Sequence, residues 1–220
     1  MSNIIYKVYR TKRKSSLISI DENGEITIKV PIGTSDKQIE ELVQRKNEWI
    51  KSKLILVNSR KKLNSDEIMY LGQIYKVKVM LQPNIKKESV DFNEKIFYVN
   101  ACESERAEKV LEKKFREDCK EIILKKIEIY QQYFEKSPKE IKVKEQKARW
   151  GSCTYDNRIF FNWKLIMGRE SALEYVVVHE MCHMVHKNHS KEYWSLVKKI
   201  MPHYEEEHLW LKNNGYLMKL

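Results

Sequence analysis

The order of apolar and polar positions predicts a chain that mixes strands with helices. Ile26, Ile28 and Val30 alternate with Thr27 and Lys29, the period-two pattern of a half-buried strand. The Asn-Gly pair within Asp21-Glu22-Asn23-Gly24 supplies a turn before it, and Tyr6 to Tyr9 and Leu17 to Ile20 are its candidate partners. Pro31 and Gly33 break the strand. Ser35-Asp36-Lys37-Gln38 then fits a capping box, in which the Ser oxygen and the Gln side chain satisfy free amides at a helix start. Ile39, Leu42, Val43, Ile50, Leu54 and Val57 continue at helical spacing, predicting one helix to about Asn58. Tyr75, Val77, Val79 and Leu81 alternate as a strand, with Ile96 to Val99 as a partner across a polar turn.

The second half reads differently. A long apolar stripe, Val110, Leu111, Phe115, Cys119, Ile122, Ile123, Ile127, Tyr130 and Phe134, predicts a helix from about Glu105 to Glu135. Ser104 is its candidate N-cap, and Ser137-Pro138 ends it. Ile141 and Val143 begin a strand running toward Trp150, and Arg158 to Ile166 reads as another, with Asp156-Asn157 in the turn between. Ser171-Ala172-Leu173-Glu174 reads as a second capping box. A last helix is expected from Ser190 to Ile200, stopped by Pro202. The fold class that follows is α+β. Its natural division lies near Cys102: a strand-rich, basic N-terminal region with one helix over residues 1–102, and a unit of long helix, small sheet and further helices over 103–220.

Composition narrows the class. Of the 220 residues, 42% are hydrophobic and 33% charged, the balance of a globular protein with a highly charged surface rather than a disordered chain. The first residues form no apolar signal-like core, and no stretch approaches the roughly 18 apolar residues of a membrane span. A cytoplasmic protein with no membrane association is therefore expected, its four cysteines reduced. The net charge of +11 favours polyanions, nucleic acid and nucleotides among them, although a lysine-rich surface accounts for it equally well.

The chemistry concentrates near the C-terminus. All six histidines fall at or after position 179, four of them between His179 and His189. His179 and His183, four residues apart on a helix, project on one face one turn apart, so two imidazoles can reach a single ion at about 2.0–2.1 Å. Glu180 projects about 100° around from His179, placed to take a proton from a metal-activated water. A catalytic zinc usually takes three protein ligands. His186 would lie about 10.5 Å along a straight helix from His179, too far to share the ion. His189 is favoured instead, with Asn188 ending the helix in a left-handed conformation so that the chain folds back. Glu205, Glu206 and Glu207 are the rival third ligands. The alternatives to a catalytic centre are a chance pair of surface histidines or a closed structural zinc site. Cys182 reads as a small buried filler, and His203 and His208 as surface or packing residues.

The run His179-Glu180-Met181-Cys182-His183, followed by Asn188-His189-Ser190 and Tyr193-Trp194, resembles the YgjP-like metallohydrolases, zincin relatives of the SprT-like and Wss-like metallopeptidases. Arg149-Trp150-Gly151-Ser152-Cys153 and Ile159-Phe160-Phe161-Asn162-Trp163 support the likeness. Weaker echoes include Asn47-Glu48-Trp49-Ile50, Tyr70-Leu71-Gly72 and Trp210 to Gly215, so that it spans nearly the whole chain. The resemblance implies a zincin-like C-terminal unit in which His179, His183 and His189 bind one zinc ion and Glu180 is the general base. Members are usually described as metallopeptidases, and nucleotide hydrolysis has also been associated with the family.

The second block has its own candidate roles. A strand ending in Gly151-Ser152 can offer backbone groups to an extended substrate, with Gly151 allowing close approach. Asn162 can bond substrate or orient a ligand, and Arg149 can grip a carboxylate or phosphate with two bonds. The plainer alternative is that Trp150 and Trp163 pack in the core while Asn162 satisfies a turn. The leading expectation is a zinc metallopeptidase. A nucleoside triphosphate pyrophosphatase, using an additional divalent metal, shares the same machinery. A non-catalytic nucleic-acid-binding module is the reading from another class. The sequence assigns no oligomeric state.

Overall fold

The computed structural model describes residues 4–21, 23–60 and 62–220. Glu22, within the expected Asp21–Gly24 turn, lies outside them, as do Met1 to Asn3 and Lys61. The chain divides into two compact units, Met1–Lys62 and Leu63–Leu220.

In the first unit, β1 (Tyr6–Thr11), β2 (Leu17–Ile20) and β3 (Ile26–Pro31) form a sheet in the order β1-β3-β2. The alternating strand is thus central, with β1 parallel and β2 antiparallel to it. Its inward residues Ile26, Ile28 and Val30 pack with Ile39, Val43 and Ile50 of helices α1 (Asp36–Arg45) and α2 (Asn47–Asn58). The Ser35 capping box forms as expected: Ser35 Oγ accepts from the Gln38 amide and Gln38 Oε1 accepts from the Ser35 amide. The expected single helix is broken at Lys46, whose φ of −101° and ψ of 6° depart from helical values. Arg10, in β1, is bonded to Asp36 and to the Thr34 carbonyl.

The second unit opens with β4 (Glu67–Tyr70), β5 (Gln73–Leu81), β6 (Ser89–Asn93) and β7 (Ile96–Ala101) in the order β4-β5-β7-β6. Ile96 to Val99 does pair with β5, but in parallel. The hairpin partner of β7 is β6, joined through Glu94 and Lys95, both with positive φ. Helix α3 (Ser104–Tyr130) buries Ala107, Leu111, Phe115, Cys119, Ile123 and Ile127, a stripe at steps of four. Its N-cap is Glu103 rather than Ser104, and it passes at Gln131 into a 3-10 turn rather than running to Glu135. Phe97, Val99 and Ala101 share one core with Leu111 and Phe115 of α3. For that reason the division falls at Lys62/Leu63, not near Cys102.

Three short strands follow: β8 (Glu140–Lys144), β9 (Gly151–Cys153) and β10 (Arg158–Asn162), in the order β8-β10-β9. The expected strand to Ile166 stops at Asn162, because Asn162 Oδ1 accepts the Lys164 amide and starts a 3-10 turn over Trp163–Met167. Helix α4 (Glu170–Cys182) packs against α3, β9 and the following α5 (Lys191–Ile200) and α6 (Tyr204–Asn214). Buried residues surround α4 (Ala172, Leu173, Tyr175 to Val178, and Glu180 to Cys182), so it is a core helix without a wet face. The expected Ser171 capping box does not form. Arg169 is the N-cap, and Glu174 instead accepts from Tyr130 Oη and Lys126 Nζ. Ser190, expected as the start of α5, is its N-cap, the side chain accepting from the Tyr193 amide. The architecture is α+β. Among the described residues no helix is long and apolar enough to cross a membrane.

Candidate metal centre

Helix α4 brings His179 and Glu180 to its buried C-terminal end. His183 stands just beyond the helix yet keeps right-handed helical angles, φ −67° and ψ −13°. Its ring therefore emerges beside that of His179, centroid to centroid 5.0 Å. The chain reverses immediately afterwards through bonds from the Val185 and His186 amides to the Cys182 carbonyl. Asn188 is not among the positive-φ residues, so the reversal is made by the turn at 183–185 and not by a left-handed Asn188. His189 returns to within 4.7 Å of the His183 ring and 5.1 Å of the His179 ring. One ligand atom from each of the three imidazoles lies within 4.8 Å of the others.

A hydrogen bond fixes which nitrogen the His183 ring offers. His183 Nδ1 meets the His186 carbonyl at 3.0 Å; a carbonyl only accepts, so Nδ1 carries the proton and Nε2 is left as the ligand atom. His186 thus contributes its backbone, and its ring stays out of the cluster. The Nε2 atoms of His179 and His189 face one another at 3.2 Å. Two nitrogens bound at about 2.0–2.1 Å to one tetrahedral ion stand about 3.3–3.4 Å apart. The His179 and His189 nitrogens sit close to the separation that a shared divalent ion requires.

Burial favours the neutral form of His179 and His183. It pushes His179 down to about 3, with His183, His189 and His208 acting the same way. It lowers His183 as well, again with His189 contributing. Neutral imidazoles are the form that binds metal. Aromatic side chains hold them in place. Tyr193, fully buried, stacks on His183 at 4.5 Å and donates from Oη to the His179 carbonyl at 3.0 Å. Trp194 stacks on His189 at 5.5 Å.

Glu180 is 4% exposed, and its Oε2 has no hydrogen-bond partner. Burial lifts its pKa to about 8, against an opposing pull from Arg149. An isolated buried carboxyl next to three convergent imidazoles is a donor set that suits a divalent ion with a proton acceptor beside it. None of the three rival carboxylates joins the cluster: Glu207 pairs with Arg169 at 2.7 Å, Glu206 faces His203 at 3.7 Å, and Glu205 is exposed. Cys182 is fully buried, its thiol pushed up to about 12, as befits a filler.

The second block of candidates divides. Gly151 lies against Glu180: a β-carbon there would come within 2.6 Å of Oε1 and 2.7 Å of Cγ. The close approach is to the catalytic candidate itself. Asn162, 3% exposed, donates to the Gln146 and Arg149 carbonyls and accepts from the Lys164 amide. Those bonds commit its amide to holding the 146–150 loop, in place of the expected contact with substrate. Trp163 is buried as the plainer alternative had it, while Trp150 is half-buried. Ser152 Oγ donates to Gln146 Oε1 at 3.4 Å. Arg149 is exposed and lines an open polar pocket of about 500 Å³ with Gln146, Lys147, Trp150 and Lys164.

Strand β9 is the edge of its sheet. Trp150 and Thr154 use their backbone groups toward β10, the Trp150 carbonyl accepting from Asn162 and the Thr154 amide donating to Arg158. By the alternation of an antiparallel ladder, the backbone groups of Gly151 and Cys153 point away from β10, off the edge. Sequence reasoning missed Tyr175, whose only signal was its place one turn before His179. It passed over Tyr193 and Trp194 as contacts, although their spacing after His189 puts them on the first turn of α5.

No curated protein matches the chain. A family model described as YgjP-like, metallopeptidase domain, matches residues 14–214 and so takes in both histidine-bearing segments, the β9 strand and Glu180. With all but the extreme ends of the sequence inside that match, the chain belongs to the YgjP-like metallopeptidase-domain family.

Proposed function

We propose that the chain is a zinc-dependent peptidase in which His179, His183 and His189 hold one ion and Glu180 is the general base. The observation that supports this reading is the buried Glu180 carboxyl, on the helix that carries His179, lying against Gly151 of the edge strand β9. A zinc ion in such a site supplies Lewis acidity, bringing the pKa of water toward about 7 and polarising a carbonyl oxygen. The chain's own groups do the rest. Glu180, held in a dry setting, takes a proton on its carboxylate from the attacking water and returns it to the leaving amine. The outward backbone groups of Gly151 and Cys153 bond an extended peptide as an added strand and lay its carbonyl across the site. A buried carboxylate with no partner costs stability, and nothing in the packing requires one here, which argues against a merely structural or relict centre.

A second reading draws on the basic pocket. Arg149, Lys147 and Lys164 around Trp150 suit a nucleoside triphosphate, with an additional divalent metal on the phosphates. The net charge of +11 fits that substrate, and equally a peptidase acting on nucleic-acid-bound protein.

Zinc-loaded wild type and Glu180→Gln, incubated in parallel with an unfolded protein and with a panel of nucleoside triphosphates, separate the two. New peptide termini with wild type alone support the peptidase. Pyrophosphate release with wild type alone, and an intact protein substrate, replaces it with the nucleotide reading. Equal behaviour of the two proteins on both substrates removes Glu180 from the chemistry.

A further inference from the structure

Helix α6 reaches two of the three imidazoles without supplying a ligand. Tyr204, at its start, stacks on Trp194 at 5.3 Å, and Trp194 in turn stacks on His189. One turn further along, His208 Nδ1 lies 3.2 Å from Tyr175 Oη, which lies 3.3 Å from His179 Nδ1. Tyr175 is 3% exposed, its ring set edge-on to both histidines.

We propose that Tyr175 and His208 are positioning residues for the metal: a relay from α6 that fixes the tautomer and the aim of His179. This rests on the reading that His179 is a ligand. The direction of every bond follows from that. With the Nε2 lone pair of His179 turned toward His189, its proton is on Nδ1, which donates to Tyr175 Oη. The single Tyr175 hydroxyl proton is then free to donate onward, and its acceptor is His208 Nδ1. His208 carries its own proton on Nε2, on the exposed side. A ligand imidazole that donates its other nitrogen to a fixed acceptor is both better aimed and more basic, and losing such a partner typically weakens metal binding 10–100-fold. The three ligands are therefore braced by three different devices: the His186 carbonyl on His183, the Trp194 ring on His189, and this relay on His179.

The test is competition for zinc between the full-length chain and a chelating dye, for wild type, Tyr175→Phe, His208→Ala and the double variant. Phenylalanine keeps the ring contacts of Tyr175 and removes only the hydroxyl. Tyr175→Phe is expected to bind zinc about 10–100-fold more weakly, with an unchanged melting midpoint for the metal-free protein. His208→Ala should show a smaller loss, and the double variant no greater loss than Tyr175→Phe, because the relay is already cut. Affinity within twofold of wild type in Tyr175→Phe overturns the proposal. Losses that multiply in the double variant overturn the part given to His208. If Tyr175→Phe melts lower without metal, His208→Ala on the exposed face decides, and wild-type affinity there counts against the relay. A wild type that binds no zinc at one per chain would instead defeat the ligand assignment itself.

Discussion

Gly151 has no side chain because Glu180 occupies the space a side chain would need. A β-carbon at 151 would stand 2.6 Å from Glu180 Oε1, 2.7 Å from Cγ and 2.9 Å from Cδ. The strand edge and the carboxylate are thus in mutual contact, and the one sets the position of the other. Gly151→Ala must push the carboxylate aside. We expect hydrolysis to fall by about 100-fold or more, as misplacement of a reacting group by an ångström does, with a stability cost of about 1–3 kcal/mol from overpacking. Zinc affinity should stay near wild type, since the three atoms nearest that β-carbon all belong to Glu180 and none to an imidazole. Activity assays beside dye competition on the same preparation check this; unimpaired hydrolysis would mean that the Glu180 position is not critical.

Asn162 is expected to matter for stability more than for binding. Its side chain satisfies the Gln146 and Arg149 carbonyls and the Lys164 amide. Asn162→Ala leaves these groups to find other partners, at about 2–3 kcal/mol in total. Urea denaturation should show that loss. Michaelis constants at temperatures where the variant is folded should be close to wild type, and a selective rise in the Michaelis constant would restore Asn162 as a substrate contact.

What was legible in the sequence was what is local. His179, Glu180 and His183 lie about one helical turn apart, so spacing alone aligned them, and the Ser35 box joins partners three residues apart, whereas the equally spaced Ser171 box lost its Glu174 to Lys126 and Tyr130 of the distant α3. Contacts between distant segments were not legible. Nothing in the order of residues joins Gly151 to Glu180, or aims the Asn162 amide at the 146–150 loop. His189 was reached for a reason only half right: the reversal is real, but the turn directly after α4 makes it, not Asn188. The same limit explains β7, whose alternation suited a partner of β5 without revealing that β6 takes the hairpin and leaves β5 the parallel side.

Removing the metal should loosen the centre without unfolding the unit. Helix α4 buries its own Leu173, Val176, Val177 and Met181 in one core with Phe115, Phe161 and Trp163, none of which depends on an ion. Zinc at 100 times its dissociation constant adds about 2.7 kcal/mol to the folded state. A chelator should therefore lower the melting midpoint by several degrees and leave the far-ultraviolet spectrum unchanged. His189→Ala, at an exposed position, should melt like metal-free wild type and gain nothing from added zinc. A zinc-dependent rise that persists in this variant would mean that the ion is held without His189.

In the metal-free protein, the site should make stability respond to pH in two opposite senses, through Glu180 on one side and His179 with His183 on the other. The Glu180 carboxyl, ordinarily near 4.5, is lifted by burial to about 8. Between those values the folded chain keeps a proton that the unfolded chain has released, so the contribution of Glu180 is complete below about pH 4.5 and disappears as pH rises to 8. His179, ordinarily near 6.5, is pushed by burial to about 3. There the unfolded chain takes up the proton first, so its contribution is complete above about pH 6.5 and is lost as pH falls to 3. The urea midpoint of metal-free wild type should consequently decline on the alkaline side from pH 6.5 to 8, where only Glu180 acts. Glu180→Gln cannot ionise and should hold its midpoint across that interval while keeping the acid decline due to His179 and His183. Parallel curves for the two proteins between pH 6.5 and 8 would show that Glu180 is already ionised in the fold, and that the dry setting assigned to the general base is wrong.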